Sequence, residues 1–243
     1  MTVLVLSDIH ANLEALEAVL ADAREWDGVW FLGDAVGYGP DPNAVVERLE
    51  TLRPEIWLAG NHDHAALGNL DLDHFNPDAR RAAEWTAVQL SDESRASLDR
   101  REPTVELPEQ DVTAVHGSPR HPIWEYILDA RTAMENFSQF TTRTCFYGHT
   151  HVPVIYQEEV DGALRRPIDP VNSLVPDGTR WLVNPGSVGQ PRDGDPRASY
   201  LRFDPASGAV TFHRVMYDIR AVQHKIHAAK LPHRLAARLD YGW

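Results

Sequence analysis

The stretch Val3-Leu4-Val5-Leu6-Ser7-Asp8-Ile9-His10 carries the fold in miniature: an aliphatic, β-type run ends by delivering an aspartate and a histidine two positions apart. A short apolar run bounded by polar residues marks a buried strand. The same event recurs downstream. Val29-Trp30-Phe31-Leu32 leads into Gly33-Asp34, Ile56-Trp57-Leu58-Ala59 into Gly60-Asn61-His62-Asp63, Val112-Thr113-Ala114-Val115 into His116, and Arg143-Thr144-Cys145-Phe146-Tyr147 into Gly148-His149-Thr150-His151. In an extended segment residues i and i+2 project to one side, so His149 and His151 can face one site if the turn after Gly148 keeps that geometry. Taken alone, the pair reads equally well as exposed loop histidines.

Helical patterns separate the first three runs. Asn12 is placed to cap a helix carrying Leu13, Leu16, Val19, Leu20 and Ala23, and Asp41-Pro42 supplies a cap and first-turn proline for Val45, Val46, Leu49 and Leu52. Strands alternating with helices over short links predict a mainly parallel sheet covered by helices, with ligands at the carboxyl ends of its strands. Further on, Asn76-Pro77-Asp78 starts a helix to about Leu90, and Ser91 starts another to about Arg100. This excursion over 76–100 is either a cap over the substrate or plain packing on one flank. A helix from Asp129 to Phe140 follows, then β-type runs at 152–157, 181–183, 199–203 and 210–216, which predict a second, mostly antiparallel layer. Leu164–Gly178 reads as irregular, and 218–240 as two short helices broken at Pro232.

At 243 residues and 43% hydrophobic content the chain suits one domain over 1–243. The lone Cys145 rules out an internal disulfide or cysteine-based zinc cluster, and its place inside an apolar run predicts an inert buried thiol. No apolar run approaches the ~20 residues of a membrane span and no basic leader is seen, so a cytoplasmic protein is expected. A formal charge of -13 argues against nucleic-acid or acidic-membrane partners. An anionic substrate would need local positive charge, which bound dications can supply.

Asp8, His10, Asp34, Asn61, His116, His149 and His151 offer nitrogen and oxygen donors at successive strand ends, enough for two ions if one carboxylate bridges. Any one of them alone would more often be a capping or core residue. The mixed set suits divalent transition metals rather than Ca²⁺, with Mn²⁺ the first choice and Fe, Zn²⁺ or Ni²⁺ the alternatives. Two ions about 3.5–4 Å apart can activate a hydroxide and clamp a phosphoryl group, which predicts phosphoester hydrolysis.

Asp8-x-His10, Gly33-Asp34-x-x-Gly37, Gly60-Asn61-His62-Asp63, His116 and Gly148-His149-Thr150-His151 resemble, in this order, the motif blocks of the calcineurin-like metallophosphoesterase superfamily. The resemblance implies a four-layer α/β/β/α sandwich with mixed sheets and a dinuclear site at strand carboxyl ends. It assigns one ion to Asp8, His10, Asp34 and His151 and the other to Asp34, Asn61, His116 and His149, with Asp34 as the bridge. It makes His62 and Asp63 the catalytic pair, His62 contacting phosphate and assisting the leaving group while Asp63 orients it. Asn61, His62 and Arg192 become the substrate contacts, and a small phosphorylated, nucleotide-like compound the substrate.

Two departures narrow this. Gly37-Tyr38 stands where the Ser/Thr protein phosphatases carry Asp-Arg, so a phosphate-binding arginine is missing there. Asn184-Pro185-Gly186-Ser187-Val188-Gly189-Gln190-Pro191-Arg192 resembles the small prokaryotic branch, and Arg192 either replaces that arginine or is a surface residue among Asp193 and Asp195. The alternative to an enzyme is a binding scaffold of the same fold that has lost catalysis.

Overall fold

The computed structural model describes residues 1–168, 174 and 179–243. In chain order the elements are β1 (Val3–Leu6), α1 (Leu13–Ala23), β2 (Gly28–Phe31), α2 (Pro42–Leu52), β3 (Ile56–Trp57), α3 (Asn61–Leu67), α4 (Pro77–Gln89), α5 (Asp92–Asp99), β4 (Thr104–Leu107), β5 (Val112–Val115), α6 (Ala130–Phe137), β6 (Thr144–Tyr147), β7 (Val154–Glu158), β8 (Leu164–Ile168), β9 (Arg180–Asn184), β10 (Ala198–Asp204), β11 (Ala209–Val215), α7 (Ile219–Ala228) and α8 (His233–Ala237). Among the described residues no helix is long and apolar enough to cross a membrane.

The strands form a 5-stranded sheet ordered β11-β10-β1-β2-β3 and a 6-stranded sheet ordered β4-β5-β6-β9-β7-β8. Both are mixed. β1, β2 and β3 run parallel while β10 joins β1 antiparallel, and β5, β6 and β9 run parallel while β4 and β7 join antiparallel. The late strands therefore do not make a separate antiparallel layer as expected. β10 and β11 extend the first sheet, and β7 to β9 extend the second, because each sheet leaves a parallel edge whose backbone groups need partners.

The period-2 alternation of the strands sorts their side chains into layers. Val3, Val5, Trp30 and Leu32 face the second sheet, where they meet Ala114, Phe146, Trp181 and Val183. Leu4, Leu6, Val29 and Phe31 face the other way, onto α1, α2 and the C-terminal helices. Ala133 and Phe137 of α6 cover Val115, Cys145 and Tyr147 on the far side of the second sheet. The result is the α/β/β/α sandwich. Cys145 is buried, and burial pushes its thiol up, away from any nucleophilic role.

Local chemistry explains most boundaries. The Asn12 side chain accepts from Ala15 N at 3.0 Å and Asn76 from Ala79 N at 3.0 Å, each capping its helix. Asp41 precedes α2 without a side-chain cap bond and instead holds Lys225 of α7 at 2.8 Å. Ala79, Ala82, Leu90 and Leu98 of the 76–100 excursion join the core on the outer face. The half-exposed edge strand β4 and the short helix α3 were not expected. The start of the stretch expected to be irregular, Leu164–Ile168, is strand β8 paired to β7; 169–173 and 175–178 lie outside the described residues.

Candidate metal centre

Every proposed ligand sits at a carboxyl end of a parallel strand. Asp8 and His10 follow β1, Asp34 follows β2, Asn61 opens α3 after β3, His116 follows β5, and His149 and His151 follow β6. All seven are buried. Asp8, His10, Asp34 and His151 form one group and Asp34, His116 and His149 a second, the donor atoms in each lying within 4.8 Å of one another. Asp34 belongs to both. Asn61 reaches the second group through Oδ1, 3.2 Å from His116 Nε2.

The turns that aim these side chains are conformationally expensive. Asp8, His10, Asp34, His149 and His151 have φ of 54, 50, 59, 65 and 61°, in the left-handed region that non-glycine residues seldom adopt. Backbone bonds hold them there. Asp8 N and His10 N donate to Gly33 O and Asp34 O at 3.0 Å each, and Gly189 N donates to Asp8 O at 3.0 Å. The Asn184 amide donates to Gly148 O at 2.7 Å and to Thr150 Oγ1 at 3.0 Å, and Ser187 Oγ donates to Asp8 O at 2.8 Å. The Asn184–Gln190 loop thus clamps the ligand turns together. Gly60 and Gly148 are required by proximity: a Cβ on either would lie 2.1 Å from Asp34 Oδ1 or Ser7 Oγ respectively.

Hydrogen bonding fixes the histidine tautomers. Nδ1 of His10, His116 and His151 lies 3.0, 2.9 and 2.6 Å from the carbonyl oxygens of Val36, Leu32 and Gln190. A carbonyl only accepts, so each Nδ1 carries hydrogen and each Nε2 faces the centre, with a lone pair in the neutral His10 and His151 and a displaceable proton on His116. His10 Nε2 and His151 Nε2 stand 3.1 Å apart. Two lone pairs at that distance repel unless a proton or a metal ion lies against them. Asp8 Oδ1, Asp34 Oδ2 and His149 Nε2 are buried without a hydrogen-bond partner in the same place. Orphaned buried acceptors of this kind are rare, and a mixed N/O donor set of borderline softness fits a divalent transition metal.

The electrostatics agree. Burial pulls the Asp34 carboxyl up, but His116, His62 and His10 outweigh it and hold it well below the ordinary range; Asp8 is held down against its burial chiefly by His151. Burial lowers His10 and His151, and takes His149 down to about 3. His116 differs. Burial works against its charge, yet Asp34 at 3.4 Å raises it to about 9.

The non-ligand residues are arranged differently from expectation in one respect. The Asp63 carboxylate accepts from Asp34 N, Val36 N and Gly60 N at 2.9, 3.0 and 2.9 Å. It caps α3 and ties down the Asp34 turn rather than orienting His62, because three amides at a helix start out-compete one imidazole for its oxygens. His62 Nδ1 is buried without a partner. Its ring lies 4.9 Å from that of His10 and 4.3 Å from that of Tyr38, with Phe75 edge-on at 5.1 Å. Burial lowers His62 to about 4 and, with Asp34 adding to it, raises Asp63 to about 7.

Arg192 is half-buried at the centre's edge, its Nη2 3.4 Å from Tyr38 Oη and 3.2 Å from Gln190 Oε1. Asp193 and Asp195, its expected surface neighbours, are taken by Arg214 and Arg197. Three side chains at the site were not anticipated. Tyr126 stacks on His149 with centroids 3.9 Å apart, Trp124 packs on Phe75 at 5.0 Å, and Arg238 approaches Tyr38. No motif announces them, since each comes from an irregular loop or the C-terminal helices.

Two mixed sheets packed face to face, with buried aspartates and histidines at their strand ends, define a metallophosphoesterase architecture. Residues 1–208 match the calcineurin-like phosphoesterase superfamily domain, and the chain belongs to that family. It is 49% identical to a metallophosphoesterase from Sphaerobacter thermophilus, whose crystal structure superposes with a TM-score of 0.91 over 100% of this chain and 99% of that one. It is also 38% identical to the uncharacterised protein MJ0912 of Methanocaldococcus jannaschii, over 98% of this chain and 97% of that protein. The hypothetical protein PH1004 of Pyrococcus horikoshii OT3 shares the fold at a TM-score of 0.79 and 21% identity, over 100% and 98% of the two chains.

Proposed function

We propose that the protein hydrolyses phosphoesters, as a phosphatase or phosphodiesterase, at a centre holding two divalent transition-metal ions. The observation that carries this is Asp34, shared by two groups of buried donors whose orphaned atoms converge. Asp8, His10, Asp34 and His151 would hold one ion, and Asp34, Asn61, His116 and His149 the other. Bound there, the ions would supply Lewis-acid activation of water and charge for the phosphoryl oxygens.

The chain's own residues then bind and orient. His62, whose ring lies 4.9 Å from that of His10, would contact a phosphoryl oxygen. In the ligand-free centre His62 is neutral, since burial holds it at about 4. A phosphate dianion against the ring favours its protonated form, the state from which it can give a proton to the departing oxygen. Asp63 acts as a positioning residue, fixing the turn that aims Asp34. Arg192 supplies a guanidinium where Gly37-Tyr38 leaves none nearby. Tyr126 and Trp124 line the rim, packed on His149 and Phe75 respectively.

The test is hydrolysis of nitrophenyl phosphate and bis-nitrophenyl phosphate by the chelated protein reloaded with single metals. Activity should appear only after reloading and be highest with Mn²⁺, since imidazole-rich N/O sites hold Mg²⁺ poorly. A fully loaded protein inert on both esters would instead favour a binding scaffold.

A further inference from the structure

The segment holding α7, α8 and the 3-10 turn Arg238–Asp240 lies beyond the 1–208 match. It is nonetheless built into the site's surroundings. Val222, Ile226, Leu235 and Leu239 are buried in the same core as Tyr38. The segment brings the Arg238 guanidinium to 6.0 Å from the centroid of the Tyr38 ring, and Arg192 approaches the same ring at 5.8 Å. That ring lies 4.8 Å from His10 and 4.3 Å from His62. Two guanidinia therefore flank the aromatic ring set against the metal centre.

Neither is paired with an Asp or Glu side chain among the described residues. Arg192 donates to the neutral Tyr38 Oη and Gln190 Oε1, and its Nε is buried without an acceptor. Arg238 Nε donates to an oxygen of Trp243, the last residue of the sequence. Other arginines without a carboxylate partner among the described residues, such as Arg81 and Arg202, donate to backbone oxygens away from the metal centre, so it is the placement of this pair that sets it apart. With 36 acidic against 23 basic residues, carboxylates are abundant, and Arg48, Arg80, Arg120, Arg180, Arg197 and Arg214 all pair with one. Two like charges left together in a partly buried place repel, and Asp78, across the adjoining cavity, offsets this only at a distance. Burial and the Arg192 charge pull Arg238 down to about 10. A planar guanidinium with unused donors is the group best matched to phosphate or carboxylate oxygens.

Room for the rest of a ligand lies next to it. Arg238 also lines a cavity of about 460 Å³ with Asn76, Asp78, Arg234, Tyr241 and Trp243. That volume falls in the range of roughly 300–1,000 Å³ found for small-molecule sites. Tyr241 and Trp243 stack with centroids 5.1 Å apart and stay largely exposed, offering an apolar wall.

We propose that Arg192 and Arg238 form a second oxyanion subsite beside the metal centre, so that the substrate carries a further phosphoryl or carboxylate group besides the phosphoester presented to the metals. This rests on the phosphoesterase reading above and narrows it to compounds bearing two anionic groups, such as nucleoside diphosphates, sugar bisphosphates or phosphorylated acids. The second anion sits between the guanidinia near Tyr38, and the body of the ligand extends into the cavity.

Calorimetric titration of the metal-loaded full chain tests this, using methylphosphonate, methylenediphosphonate and phosphonoacetate with wild type, Arg238→Gln and Arg238→Lys. Wild type should bind at least one of the two-anion ligands tenfold or more tighter than methylphosphonate. Arg238→Gln should erase that preference, and Arg238→Lys, which keeps the charge but not the fork, should retain part of it. Preference for methylenediphosphonate alone assigns a phosphoryl as the second group; preference for phosphonoacetate as well extends the assignment to carboxylates. If Arg238→Gln keeps the wild-type preference, or wild type has none, the subsite is overturned while measurable ester hydrolysis leaves the phosphoesterase reading standing. If the loaded protein hydrolyses no phosphoester at all, that reading falls and takes the subsite with it.

Discussion

His10 Nε2 and His151 Nε2 face each other at 3.1 Å while the Nδ1 of each is committed to a backbone carbonyl. Neither ring can turn or change tautomer to relieve the contact without leaving a buried carbonyl unpaired. A metal ion, or a proton carried on one Nε2, would satisfy both lone pairs without breaking either carbonyl bond.

From this, metal should stabilise the folded chain strongly. At an ion concentration 100 times the dissociation constant, linkage adds about 2.7 kcal/mol, and for a chain of this size each kcal/mol moves the midpoint by roughly 2–4 °C. Scanning calorimetry with excess Mn²⁺ should thus give a midpoint on the order of 5–11 °C above the chelated protein. Superimposable scans would show that the donors bind no ion.

His116 sets a pH dependence specific to the metal-free state. Its pKa in the folded chain, raised to about 9 by Asp34 against the pull of burial, exceeds the ordinary 6.5. Such a group contributes stability that is fully present below pH 6.5 and is lost as pH rises through 9. The chelated protein should lose stability between pH 7 and 9. Metal loading displaces that proton, so metal affinity should rise over the same interval and loading should release protons into weak buffer. Pairing thermal melts with a pH-indicator titration checks both, and a metal affinity flat from pH 6.5 to 9 would contradict the assignment.

Asp63 should behave as a structural anchor rather than a proton relay. Asp63→Asn turns one acceptor oxygen into a donor, facing amides that also donate, at a cost of about 1–3 kcal/mol for the buried mismatch. Stability should fall, metal occupancy should drop with it, and the residual activity should decline equally for good and poor leaving groups. A loss confined to poor leaving groups at full metal occupancy would restore a role in proton transfer.

His62 should show the opposite pattern. None of the proposed ligands is this residue, and a nitrophenolate departs without a proton, whereas an alkoxide needs one. General-acid help is typically worth about 10²–10⁴-fold. His62→Gln should depress alkyl phosphate hydrolysis far more than nitrophenyl phosphate hydrolysis, measured at equal metal content. Equal losses on both would make His62 a phosphate-binding group only.

The buried strands and the candidate donors at their ends were legible because both depend on local rules, whereas the four-layer sandwich came from the family resemblance. Runs such as Val3–Leu6 and Val112–Val115 announce buried strands, and their polar ends announce the donors. What could not be read depends on contacts distant in sequence. The partner of β1 turned out to be β10, some 200 residues away, which no periodicity encodes. Asp63 looked like the partner of its neighbour His62, yet the start of α3 and the Asp34 turn claimed its oxygens. Asn184 came with a suggestive loop but shows its clamping role only once Gly148 is seen across from it. Arg238 and Tyr126 reach the centre from the C-terminal helices and from the segment after His116, where no motif marks them.

The central claim is that Asp34 serves two ions at once. Its most direct test is the metal-to-protein ratio, by elemental analysis after loading and desalting, of wild type against Asp34→Asn and His10→Ala. Two ions per wild-type chain are predicted, with both diminished together in Asp34→Asn and one retained in His10→Ala, alongside loss of nitrophenyl phosphate hydrolysis in Asp34→Asn. An Asp34→Asn protein that keeps one ion at full occupancy, or keeps wild-type turnover, would contradict the bridge.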